Sequence, residues 1–132
     1  MLRNAGRGVL LLLLLASCST RGDQGSLAEL ASSNQGRLNS LSLGMTREQV
    51  LTHMGAGTAA TRDGIVNNPW TVEAFTNGRG VQYEVLYYVT RKNPPFTPVR
   101  KSLTTPIVLQ DGRVIGWGTE ALNRIGTGTP AQ

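Results

Sequence analysis

Metal and nucleophilic chemistry find little to work with in this chain of 132 residues, which holds one cysteine, one histidine and eight carboxylates. The carboxylates are scattered rather than grouped at ligand spacing, so no bound metal is expected. A single cysteine excludes an intrachain disulfide, and the fold must hold by its core. Long apolar runs are missing too, except for Val9 to Ala16. That run is shorter than the ~20 residues a permanent membrane-spanning helix needs. Aromatic residues are sparse: Trp70, Trp117, Tyr83, Tyr87, Tyr88, Phe75 and Phe96 are the whole set. Most of them must serve the core of so small a domain. Thirteen basic residues against eight acidic ones give a formal charge of +5. The cations form no stripe, so nucleic acid is not an expected partner. Gly55-Ala56-Gly57-Thr58-Ala59-Ala60 matches a dinucleotide fingerprint in letters only. The fingerprint needs a strand before it, and a helix precedes it here. No cofactor and no small-molecule substrate are expected.

What is present begins at the N-terminus. Arg3 and Arg7 precede the apolar run, and small residues lead from it to Cys18. This is the layout of a secretory signal peptide over residues 1–17. Leu15-Ala16-Ser17-Cys18 resembles the lipobox of bacterial lipoproteins. The resemblance implies cleavage before Cys18, with lipid on its sulfur and on the new amino terminus. Several acyl chains together anchor stably where one does not. Ser19 rather than an aspartate follows the cysteine. In the best-known sorting rule that implies the outer membrane, on its periplasmic face. Removal of Arg3 and Arg7 lowers the formal charge to +3, and a mildly basic surface suits a phosphate-rich membrane face.

From Cys18 to residue 36 the chain is small, polar and glycine-containing, and reads as a lipidated cysteine and flexible tether. A domain is expected over 37–122. Leu38, Leu41 and Leu43 suggest a short helix ending at Gly44. Thr46-Arg47-Glu48-Gln49 fits a capping box, with Met45 placed to staple against Val50, and Val50, Leu51 and Met54 form an apolar face up to Gly55. Residues 56–68 read as a loop. Thr71 to Thr76 is a strand, Asn77-Gly78-Arg79-Gly80 a hairpin turn, and Val81 to Thr90 the longest strand. Its face carrying Val81, Tyr83, Val85, Tyr87 and Val89 is expected to meet the core. Arg91 to Lys101, with Pro94, Pro95 and Pro98, is a stiffened basic loop. Strands follow over Thr104–Gln110 and Arg113–Thr119, and residues 123–132 are expected to fray. The fold class is therefore α+β, with two short N-terminal helices packed on one face of a three- to four-stranded antiparallel sheet.

Leu41-Ser42-Leu43-Gly44-Met45-Thr46-Arg47-Glu48-Gln49-Val50, followed by Met54-Gly55, resembles the pattern of the BamE family, also called the SmpA/OmlA domain. The pattern is an apolar residue, Gly-Met-Thr, two variable residues, Gln-Val and a later apolar-Gly pair. The resemblance implies a small envelope lipoprotein that works by binding, in outer-membrane protein assembly or envelope maintenance. The alternative is a tethered periplasmic protein-binding or inhibitor module with a fold like that of the β-lactamase inhibitor proteins.

No enzyme activity is expected. His53, the only histidine, lies on the second helix without a carboxylate at useful spacing. Cys18 is the lipidation site. An envelope protein is the expected partner besides the membrane itself, and the candidate partner-binding residues are Tyr88, Arg91, Lys92, Phe96, Arg100, Lys101 and Trp117. Tyr88 is out of phase with the expected core face. Phe96 is an apolar anchor among the cations of the loop. Trp117 stands between Gly116 and Gly118, either plugging the core or anchoring a partner.

Overall fold

The computed structural model describes residues 25–94 and 97–126. They fold as α+β, with three helices and two antiparallel sheets. In chain order these are α1 (Leu27–Leu38), α2 (Arg47–Met54), the hairpin β1 (Thr58–Thr61) and β2 (Gly64–Asn67), β3 (Thr71–Thr76), β4 (Gln82–Val89), a 3-10 turn over Lys101–Leu103, β5 (Thr104–Gln110), β6 (Arg113–Trp117) and α3 (Thr119–Arg124). The larger sheet has the order β3-β4-β5-β6.

The ordered domain starts earlier than residue 37. Ser26 and Glu29 make a second capping box: the Ser26 hydroxyl accepts from the Glu29 amide at 3.2 Å and Glu29 accepts from the Ser26 amide at 2.6 Å. Twelve residues of helix follow, burying Leu30, Ala31, Asn34 and Leu38. Their spacing is helical, but the third is polar, and that breaks the apolar pattern. The expected helix ending at Gly44 is absent from residues 39–44. Leu38 ends α1, Leu41 is buried in the connection, and Leu43 is 67% exposed.

α2 forms where its box places it. Thr46 Oγ1 accepts from the Gln49 amide at 3.2 Å, and the Gln49 side chain accepts from the Thr46 amide at 2.9 Å. Gly44 and Gly55, on either side, take positive φ values of 80° and 72°, which glycine reaches without a Cβ penalty.

The expected loop at 56–68 holds the β1–β2 hairpin instead, closed through Arg62-Asp63 with Thr61 opposite Gly64. Asn77 closes the β3–β4 hairpin as expected, its Oδ1 accepting from the Arg79 and Val81 amides at 2.9 and 3.0 Å. β4 departs from the one-faced reading. Val85 to Val89 are all buried. Leu86 and Tyr88 join Ile107, Leu109 and Val114 with Val50 and Met54 of α2 and with Leu38 and Leu41. Val85 and Tyr87 join Val108 and Ala121 of α3. Neighbouring residues of a strand point to opposite faces, so both sides of this half of β4 are covered. α3 supplies the second cover, and it begins at Thr119, where the end of a strand was expected. A third cluster joins Leu30 and Ala31 of α1 to Ala59, Val66 and Val89.

The two edges of the larger sheet differ. The segment before α2 pairs along β6: the Gly44 amide donates to Val114 O at 2.8 Å, and the Val114 amide to Met45 O at 2.9 Å. β3 pairs with β4 alone among the described residues.

Candidate functional site

His53 links the first two helices. Its Nε2 lies 2.8 Å from the Arg37 carbonyl, in the last turn of α1. A carbonyl only accepts, so Nε2 carries the proton. Arg37 returns the contact by donating from Nη1 to the Met54 carbonyl in the last turn of α2. Each helix thus satisfies a terminal carbonyl of the other, where a helix leaves such groups without internal partners. Asn68 adds to this, its Nδ2 reaching the Met54 and Gly55 carbonyls at 3.3 and 3.2 Å. Behind it lies Asn34, 0% exposed, with its amide paired reciprocally to that of Asn68 at 2.8 and 2.7 Å and donating to Val89 O at 2.9 Å.

A second cluster sits on β3 and β4. The Tyr87 hydroxyl donates to Glu73 Oε2 at 2.9 Å. Lys101 donates to the other Glu73 oxygen, and its ammonium lies 4.9 Å from the Tyr87 ring centroid. The Lys101 hydrogen bond holds the Glu73 carboxyl below the ordinary carboxylate value; burial works against it and the Tyr87 hydroxyl with it. Burial and the Glu73 carboxylate push the Tyr87 phenol up to about 12. Lys101 is therefore tied to the sheet and is no free cation of the loop. Glu73 is opposite Val85 and Glu84 opposite Ala74, so the two glutamates point to different faces of the sheet and make no carboxylate pair.

A cleft lies at the other end of β4. It measures about 410 Å³ and is lined by Arg47, Phe75, Tyr83, Glu84 and Asp111, among others. Arg47 Nε meets Glu84 Oε1 at 2.7 Å across it. On the opposite face of β3 and β4, Phe75 and Tyr83 stack with centroids 5.5 Å apart, against the cluster of Val85, Tyr87 and Ala121. Sequence reasoning missed this site. Arg47 and Glu84 are 37 residues apart, and only the pairing of β6 with the start of α2 brings them together.

The expected partner residues fare differently. Arg91, Lys92 and Arg100 are exposed. Trp117 is half-buried and packs against the α2 cluster. Cys18 and Phe96 lie outside the described residues. Tyr88, expected at the surface, is 0% exposed. Its hydroxyl has no hydrogen-bond partner among the described residues. Burial pushes the phenol up to about 12, with Arg47 opposing. A buried hydroxyl without a partner destabilises a fold by about 1–3 kcal/mol. Tyr88→Phe should therefore leave stability unchanged or raise it by about 1 kcal/mol in urea denaturation. A loss of that size would show that the hydroxyl has a partner in solution.

Residues 19–124 match DUF3192, described as a protein of unknown function. The match takes in most of the chain and ends at the last residue of α3, and the chain belongs to this family. No curated protein and no solved structure matches it.

Proposed function

We propose that this protein is a lipid-anchored envelope lipoprotein that acts by binding another envelope protein, in outer-membrane protein assembly or envelope maintenance. Cys18 is its anchor, and the outer membrane, on the periplasmic side, is its place. One observation carries the non-catalytic reading. His53, Arg37, Asn34, Asn68, Glu73 and Lys101 are bonded to one another or to backbone within the fold, where they join its elements together. The likeness to the BamE domain is supported by the Thr46–Gln49 box, and by the glycines at 44 and 55 with positive φ. In this reading α2 and the end of α1 form a layer on one face of a four-stranded antiparallel sheet. Leu38, Leu41, Val50 and Met54 against Leu86, Tyr88, Ile107 and Leu109 support that layering.

The side of the sheet at β3 is the partner side. An extended segment of a protein partner suits it, because β3 is the edge left unpaired among the described residues. The Arg47–Glu84 pair stands in the cleft beside it, and the Phe75–Tyr83 stack lies on the opposite face of β3 and β4. Such a segment would gain main-chain hydrogen bonds along the strand and side-chain contacts in the cleft. The lipidated protein, extracted from membranes and captured with its cross-linked partners, is the test. Recovery of outer-membrane assembly subunits, lost with Ala74→Arg on exposed β3, is the expected result. Recovery of one soluble periplasmic enzyme would favour the inhibitor reading instead, and retention of every partner by Ala74→Arg would remove β3 from the site.

A further inference from the structure

We infer that the end of the domain formed by the start of α1, the β1–β2 turn and the Arg91–Arg100 loop lies against an anionic lipid surface, so that the cleft faces away from the membrane. The inference rests on the lipoprotein reading of Cys18.

Chain length sets the geometry. Gly25 already pairs with Ala59, and α1 starts two residues later. Only residues 19–24 separate Cys18 from that fixed point. At about 3.3–3.6 Å per residue, seven steps reach at most about 25 Å. A domain of about 100 residues has a radius of gyration of about 13 Å, hence a diameter of roughly 34 Å, which exceeds this reach. A long tether would let the domain tumble above the bilayer. This one holds the end bearing Gly25 near the lipid.

The charges at that end complement an anionic surface. Leu27, Arg62, Asp63, Asn93, Pro94 and Val99 line one recess of about 180 Å³. Val99 also packs on the cluster of Leu30, Ala31 and Ala59. The loop and the hairpin turn therefore meet where the tether enters. Arg62 stands in the recess, Arg91 and Lys92 directly precede Asn93, and Arg100 directly follows Val99; all four are exposed. The acidic groups of these segments are Asp63 and Glu29, and Glu29 is bound to Ser26. The loop is braced from within: Asn93 Nδ2 donates to the Thr97 carbonyl, and the Thr97 hydroxyl donates to Pro94 O at 2.9 Å. Cations on a braced loop lose little freedom on meeting a surface. Arg47 and Lys101 belong to the cleft and to the Glu73 cluster instead.

β4 connects the two ends. It runs from Gln82, which lines the cleft, to Val89, which packs in the cluster with Leu30 and Ala59. Seven steps of strand span about 24 Å. A surface that holds Gly25 therefore leaves the cleft about that much further out, open to a periplasmic protein.

The experiment uses the full lipidated protein in vesicles of neutral phospholipid, with or without an anionic phospholipid. Lipidation blocks the Cys18 thiol, so Asp63→Cys or Asp111→Cys supplies the one site for a fluorophore, and a headgroup quencher reads its distance from the bilayer. In anionic vesicles the label at position 63 should be quenched at least threefold more than the label at 111. The contrast should shrink at high salt. It should also shrink in neutral vesicles and in the Arg91→Ser/Lys92→Ser/Arg100→Ser variant, whose circular dichroism should be unchanged. Equal quenching at both positions overturns the orientation, and a contrast indifferent to anionic lipid and salt overturns the assignment of an anionic surface. Mass spectrometry of the same sample distinguishes the two failures. An unmodified Cys18 overturns the lipoprotein reading and the orientation together, whereas a lipidated Cys18 with equal quenching overturns the orientation alone.

Discussion

Asn34→Ala should lower the stability of the domain by roughly 2–4 kcal/mol, by loss of satisfied hydrogen bonds rather than of apolar area. Asn34 is 0% exposed and stands in the buried stripe of α1 between Ala31 and Leu38. It satisfies both halves of the Asn68 amide and the Val89 carbonyl at the end of β4. Alanine strands the Asn68 oxygen and the Val89 oxygen in the interior and leaves a small cavity. The Asn68 nitrogen keeps its contacts with the carbonyls of Met54 and Gly55 at the end of α2. Asn68→Ala should be nearly as costly, since it also uncovers those carbonyls. The double variant should lose clearly less than the sum, because the two side chains act as one unit. Urea denaturation of the three variants measures this. A loss under about 0.5 kcal/mol for Asn34→Ala would mean that the paired amides do not hold α1 to α2 and β4.

The same residue explains why α1 was hidden in the sequence. Leu27, Leu30, Ala31 and Leu38 follow a helical period only if position 34 counts as buried, and an asparagine does not announce that. Ser26 and Glu29 carried a capping-box signal equal to that of Thr46 and Gln49. The small, polar, glycine-containing residues around it mask that signal. Where the local signal was strong, at Thr46–Gln49 and Asn77–Gly80, the elements formed in place. β1 and β2 have four residues each and no apolar alternation, so nothing local marks them. The phase of β4 departs from the sequence expectation for a tertiary reason. Gln82 and Glu84 make one face polar, but that holds only for the half of the strand near the cleft. Tyr88 follows the rule of its neighbours Leu86 and Ile107, not that of Glu84. The cleft itself was illegible, since its Arg47–Glu84 pair depends on β6 being flanked by the start of α2. The loop cations were legible in part: Arg91, Lys92 and Arg100 are exposed, while Lys101 is claimed by a glutamate 28 residues away.

Gly116→Val should cost roughly 1–3 kcal/mol and loosen α3 from the sheet. The glycine is needed for space, not for its backbone angles, since its φ is not positive. A Cβ there would lie 2.9 Å from the Cβ of Ala121, closer than real side chains approach. Gly116 is opposite Val108 on β5, and Ala121 packs against Val108, Val85 and Tyr87. α3 has six residues and a glycine at its N-cap without a side-chain hydrogen bond, so isolated propensity does not hold it together. Its docking through Ala121, Leu122 and Ile125 does. The flexible glycine partners seen beside Trp117 in the sequence thus admit a helix, but it is the C-terminal one. Two readouts separate loss of docking from general strain. Cleavage by trypsin after Arg124 should speed up in Gly116→Val while cleavage after Arg37 in α1 and Arg47 in α2 stays slow. In the exchange variant Gly116→Ala/Ala121→Gly the clashing methyl groups are no longer paired, so it should be more stable than Gly116→Ala, apart from about 1 kcal/mol for a glycine inside a helix. A Gly116→Val protein with unchanged stability and unchanged cleavage would mean that α3 does not lie on Val108 and Val85, and that this face of the sheet is open to a partner instead.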